Sequence, residues 1–120
     1  MNNEQLKECI INDIKKVFPK MDLDKRISFN RYSTKNQIRI YKKLFTYVFE
    51  FLGSRESEYE IFKSQSYIEI LYKVAEVLII TESINETRGN TSNCLKEIER
   101  NYASKFGPEI CQKFCIENNL

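Results

Sequence analysis

Few residues in this chain are equipped to do chemistry, because it contains no histidine. That removes the commonest general base, the usual partner of a serine or cysteine nucleophile, and the commonest metal ligand. What remains is four cysteines, scattered carboxylates and a run of cations. Cys111 and Cys115 stand four apart, on one face of any helix, while Cys9 and Cys94 are remote in sequence. Structural zinc sites favour closely spaced cysteine pairs, which are missing here. An i,i+4 pair on a helix is too widely spaced to bridge without distortion. The expectation is four reduced thiols packed as small hydrophobes, with no metal and no cofactor.

The carboxylates concentrate at Asp22 and Asp24, at Glu56, Glu58 and Glu60, and at Glu97 and Glu99. Lys25 and Arg26 follow the first pair at once, and the oxygen ligands and turn glycine of a calcium loop are absent. The second group sits where a helix N-terminus favours negative charge. No glycine-rich phosphate loop is present. No catalytic residue emerges, and the chain reads as a non-enzyme.

The cations form the strongest local feature. Lys25, Arg26, Arg31, Lys35, Arg39, Lys42 and Lys43 follow one another with no acidic residue between them. Like charges at helical spacing cost stability, so their accumulation asks for a reason. On a helix, Lys35, Arg39, Lys42 and Lys43 share one side, with Phe29, Tyr32 and Tyr41 interleaved. Arg31, Lys35, Arg39, Lys42 and Lys43 are therefore the candidate basic face, suited to phosphates or an acidic partner. Residues 1–54 carry 11 Lys/Arg against 6 Asp/Glu, and residues 55–120 carry 8 against 11, so the charge is divided along the chain. From the acidic half, Glu76, Glu82 and Glu86 form a candidate contact patch for a protein partner.

The elements that must position these groups read as helices. Gly totals 3 and Pro 2, so long uninterrupted elements are expected. Leu6, Cys9, Ile10, Ile14, Val17 and Phe18 give a first helix, stopped by Pro19. Residues 19–33 are irregular. Their alternation from 21 to 29 resembles a strand, but a lone strand has no pairing partner, so a loop is expected. Thr34 and Gln37 fit a capping box for a second helix carrying Ile38, Tyr41, Leu44, Phe45, Val48, Phe49 and Leu52, closed by Gly53. Ser57 and Glu60 fit another, opening a long third helix from about 57 to about 83 that is apolar on two sides and therefore central. A polar loop over 82–90 leads to a fourth helix, capped by Thr91 or Ser92 and ended by Gly107. Pro108 opens a fifth. The expectation is a single all-α domain spanning 1–120, a compact bundle of four to five helices.

The start Met1-Asn2-Asn3-Glu4-Gln5 lacks a basic region followed by an apolar run, so no signal peptide is read. The longest apolar run, 77–80, is far from the ~18 residues of a membrane span. A cytoplasmic chain is expected. Size and helical class point to a protein-binding module of the immunity or antitoxin type, which occludes a toxin. A nucleic-acid-binding regulator using the basic second helix is the alternative.

Overall fold

The computed structural model describes residues 1–53, 58–88 and 92–120. It overturns the all-α bundle: along the chain, four strands that form one mixed sheet follow the first helix and precede the later ones. The chain divides into two compact units, Met1–Leu71 and Tyr72–Leu120. Among the described residues, no helix is long and apolar enough to cross a membrane.

The first unit opens as its residues predict. Helix α1 spans Asn3–Val17, with Asn2 and Gln5 forming a reciprocal capping box. Leu6, Ile10, Ile14 and Val17 recur at helical spacing and are buried. Phe18 caps the helix end just before Pro19. A 3-10 turn at Leu23–Lys25 then leads into β1, Ile27–Ser28. The alternation seen from 21 to 29 thus does contain a strand, and its partner is supplied by the next segment.

That segment is the larger correction. The expected second helix is a β-hairpin of β2, Ile38–Lys43, and β3, Thr46–Leu52, and Thr34 and Gln37 cap no helix. The start of the expected third helix is strand β4, Tyr59–Ser64; Ser57, its expected cap, lies outside the described residues. Isoleucine, valine, tyrosine and phenylalanine fit a pleated surface better than a helix. The order is β1-β2-β3-β4, with β1 parallel to β2 and the other pairs antiparallel. Alternation sorts the side chains. Ile38, Ile40 and Phe49 share one face and are buried. Arg39, Tyr41, Val48, Glu50 and Leu52 share the other with Tyr59 and Ile61. The β2–β3 turn is Leu44–Phe45, with Leu44 at φ +56°, and both side chains are more than 80% exposed (82% and 84%).

Because β1 pairs β2 only as far as Arg39, the open edge beyond it needs another partner. Asn3 of α1 supplies one, its Oδ1 accepting from the Lys42 amide at 2.6 Å. Tyr67, at the start of α2 (Tyr67–Glu86), donates to Asp13 of α1 at 2.5 Å. Parallel neighbours normally need a crossover of about a dozen residues or more. Here the shorter segment 29–37 makes the connection as an irregular loop.

The unit boundary falls within α2, which runs to Glu86 and so includes part of the expected 82–90 loop. The second unit is helical, as the sequence predicts. It continues α2 and adds α3, Ser92–Lys105, and α4, Pro108–Glu117. Gly107 precedes α4 and Pro108 occupies its first turn. Val74, Ala75, Leu78, Ile79, Ala103, Ile110 and Phe114 are buried. The Tyr72 hydroxyl lies 2.7 Å from Glu117 and 2.9 Å from Glu76, joining α4 to α2.

Candidate functional site

The basic run does not form a helix face, because much of it lies in the sheet. A strand reverses direction at each residue, so Arg39 and Lys43 lie on one face of β2 and Lys42 on the other. Arg31 and Lys35 stand exposed on the 29–37 loop. The Arg31 guanidinium lies over the Tyr32 ring at 5.2 Å and near that of Tyr41 at 5.8 Å. Lys25 pairs with Asp22 at 4.0 Å in the 3-10 turn.

Arg39, among the basic candidates, is drawn into a buried network. It is directly opposed to Glu50 across the hairpin, and its Nη2 donates to Oε2 at 2.6 Å. Nη1 donates to the Ser33 carbonyl at 3.0 Å, tying the loop to the sheet. Glu50 is only 6% exposed. Its carboxylate also accepts from the Tyr41 hydroxyl and, at 2.6 Å, from Tyr59. Burial alone would raise its pKa, but the hydroxyls of Tyr41 and Tyr59 and the Arg39 guanidinium together hold it below the usual carboxylate value. Burial, then the bond to Glu50, push Tyr41 up to about 12. A hollow of about 140 Å³ opens beside this cluster, lined by Ser33, Thr34, Gln37, Arg39, Glu50 and Tyr59 among others.

Sequence reasoning missed Glu50, and it placed Tyr41 only among the aromatics interleaved with the cations. A signal was present: Arg39 and Glu50 lie at equal distances from the 44–45 dipeptide, which a hairpin reading would have paired. The dipeptide is Leu-Phe, without the Gly, Asn or Asp that marks a tight turn.

On the other side of the 29–37 loop lies a wider groove of about 700 Å³. Arg31 and Lys35 line it, together with Lys7 from α1, Phe29 and Tyr32. The Lys7 ammonium lies 5.9 Å from the Phe29 ring.

The acidic candidates all lie on α2. Glu82 and Glu86 are one turn apart on one face, and Glu76 is turned about 120° from Glu82 at ~100° per residue. Glu76 and Glu86 make hydrogen bonds within the second unit. Glu76 accepts from Tyr72 at 2.9 Å and from Asn118 at 3.3 Å. Glu86 accepts from Tyr102.

All four cysteines are free thiols, and among the described residues no three acidic, cysteine or histidine side chains gather as a metal site. Burial and the neighbouring Cys115 raise the Cys111 pKa, the opposite of what a reactive thiolate needs.

Compared with known proteins, the chain matches no protein family, no curated sequence and no solved structure.

Proposed function

We propose that this chain is a non-enzymatic binding protein that occludes a partner protein through the exposed β3–β4 end of one sheet face. The observation that carries this is a half-exposed apolar trio. Leu52 and Tyr59 are directly opposed across β3 and β4, Ile61 follows on the same face, and the three are 50%, 49% and 47% exposed. Tyr59 is pinned through its hydroxyl to Glu50, so its ring is held in place before any partner arrives. Ordered aromatic side chains beside a hollow that can receive a partner's side chain are the usual anchors of an interface. Lys43 and Lys63 lie on the same face and are exposed, so the matching partner surface is apolar with an acidic rim.

The network around Glu50 supports a binding role over a catalytic one. A carboxylate that already accepts three donors and is held ionised is poorly placed to shuttle protons. The likeness to helical immunity proteins falls with the helical bundle, as does the basic-helix route to nucleic acid. Small size, and no poised catalytic group among the described residues, still fit an inhibitor, with a toxin as one partner class. A cytoplasmic setting, where four thiols stay reduced, belongs to the same reading.

The test is a pulldown from lysate of the source organism with the wild-type chain and Ile61→Arg, with and without nuclease. A stoichiometric protein that resists nuclease, is lost with Ile61→Arg, and loses its own activity when the wild-type chain is added supports occlusion. Recovery of nucleic acid alone, or capture unaffected by Ile61→Arg, overturns it.

A further inference from the structure

The groove beside the 29–37 loop has a composition that the sheet-face reading does not use. Three cations from two separate elements meet along it: Lys7 from α1, and Arg31 and Lys35 from the loop. None of the three has an ion-pair partner among the described residues, in contrast to Arg39, which is neutralised by Glu50. Glu4 and Asp24 line the same groove, so three cations against two carboxylates leave it a net positive charge, which favours an anion.

The aromatic groups narrow the class of anion. Tyr32 is 79% exposed, an unusual state for so large a ring, and the Arg31 guanidinium lies over it. A planar group resting on a guanidinium–tyrosine stack gains dispersion and cation–π attraction, as nucleobases do on such platforms. Glu4 and Asp24 also line the groove and offer acceptors suited to ribose hydroxyls or an exocyclic amine.

We propose that this groove binds a nucleotide, its base stacked on Tyr32 and its phosphate held by Lys7, Arg31 and Lys35. Base, sugar and phosphate each meet a group of matching chemistry. The same unit could arrive as a free mononucleotide or as part of a single strand. A duplex hides its bases and cannot stack on Tyr32.

The experiment uses the full chain at low salt. Calorimetry follows AMP and ribose 5-phosphate, and fluorescence anisotropy follows labelled single-stranded and duplex RNA. Binding of AMP without the strand assigns the site to a free nucleotide, and binding of the strand assigns it to single-stranded nucleic acid; either supports the site. Tyr32→Ala is expected to weaken binding by about tenfold, the loss of one stacked base. Tyr32→Phe should retain it, and the double variant Arg31→Glu/Lys35→Glu should abolish it. For a strand, three phosphate contacts predict log K falling with log salt at a slope of about −2. Tyr32, Arg31 and Lys35 are all exposed, so these variants should melt as the wild type does. Ile61→Arg should leave nucleotide binding unchanged, which separates this site from the sheet-face surface. The proposal is overturned if neither AMP nor a strand binds, if ribose 5-phosphate or duplex binds as well as its counterpart, or if binding ignores the variants.

Discussion

Arg39 and Glu50 face each other across the β2–β3 hairpin, 2.6 Å apart, with the Tyr41 and Tyr59 hydroxyls completing the shell of the carboxylate. One pair of residues thus joins two strands, and through the Ser33 carbonyl it also anchors the loop between the two concavities.

Replacing Glu50 by Gln keeps the volume but removes the charge that three donors address. The Arg39 guanidinium, a quarter exposed, is left without its counter-charge. The expected loss is about 2–4 kcal/mol, the range for breaking a largely buried pair with charge-assisted bonds. Urea unfolding monitored by circular dichroism measures it. A loss below ~0.5 kcal/mol would mean the network contributes little.

The same carboxylate sets an acid response. Its pKa is depressed below the ordinary 4.5 in the folded state, so the unfolded chain takes up this proton first as pH falls. Its contribution is therefore fully present above pH 4.5 and drains away as pH drops through the folded value. Wild type should lose stability over that window more steeply than Glu50→Gln. Equal slopes in denaturant titrations at a series of acid pH values would count against the assignment.

Leu44 holds φ +56° at the hairpin tip, a conformation that costs a leucine roughly 1–2 kcal/mol. Its side chain is almost wholly exposed, so little packing offsets that cost. Leu44→Asn, which tolerates the left-handed region, should raise stability by about 0.5–1 kcal/mol. A fall in melting temperature would show that the leucine makes a compensating contact.

Ser83 is fully buried on α2, and its hydroxyl has no hydrogen-bond partner among the described residues. An unsatisfied buried hydroxyl costs about 1–3 kcal/mol. Ser83→Ala should therefore be neutral or stabilising by about 1 kcal/mol. A clearly destabilised variant, read from the urea midpoint, would reveal a partner for this hydroxyl.

The helices α1, α3 and α4 were legible because their signals are local. Leu6, Ile10, Ile14 and Val17 fall on one helical stripe, Pro19 stops it, and Gly107-Pro108 marks the start of α4. The segment 38–52 misled for a definite reason. It is apolar at so many positions that Ile38, Tyr41, Phe45, Val48, Phe49 and Leu52 satisfy a helical period as readily as Ile38 and Ile40 satisfy a strand period. With no turn residue at 44–45, nothing local decided between them. The strand at 27–28 has no partner in its own neighbourhood, and the one it pairs with, β2, lies in a segment whose spacing also fits a helix.

The candidate sites divide the same way. Arg31 and Lys35 were visible as part of a cationic run, but Lys7 joins them only because α1 packs beside the loop. Glu50 carried no mark of its own in the sequence; the register gives it Arg39 as a partner.

By itself, the sequence determined the helices with clean stripes and stops, the lack of histidine chemistry, and the concentration of positive charge over 25–43. These depend on residue type and on neighbours within a turn or two. Only the tertiary structure decided that 38–64 pairs as strands, that Arg39 is spent on Glu50, and that Lys7, Arg31 and Lys35 share a groove. The physical reason is that a helix satisfies its backbone with residues four apart, whereas a strand must borrow its hydrogen bonds from distant segments, and no local pattern names the lender.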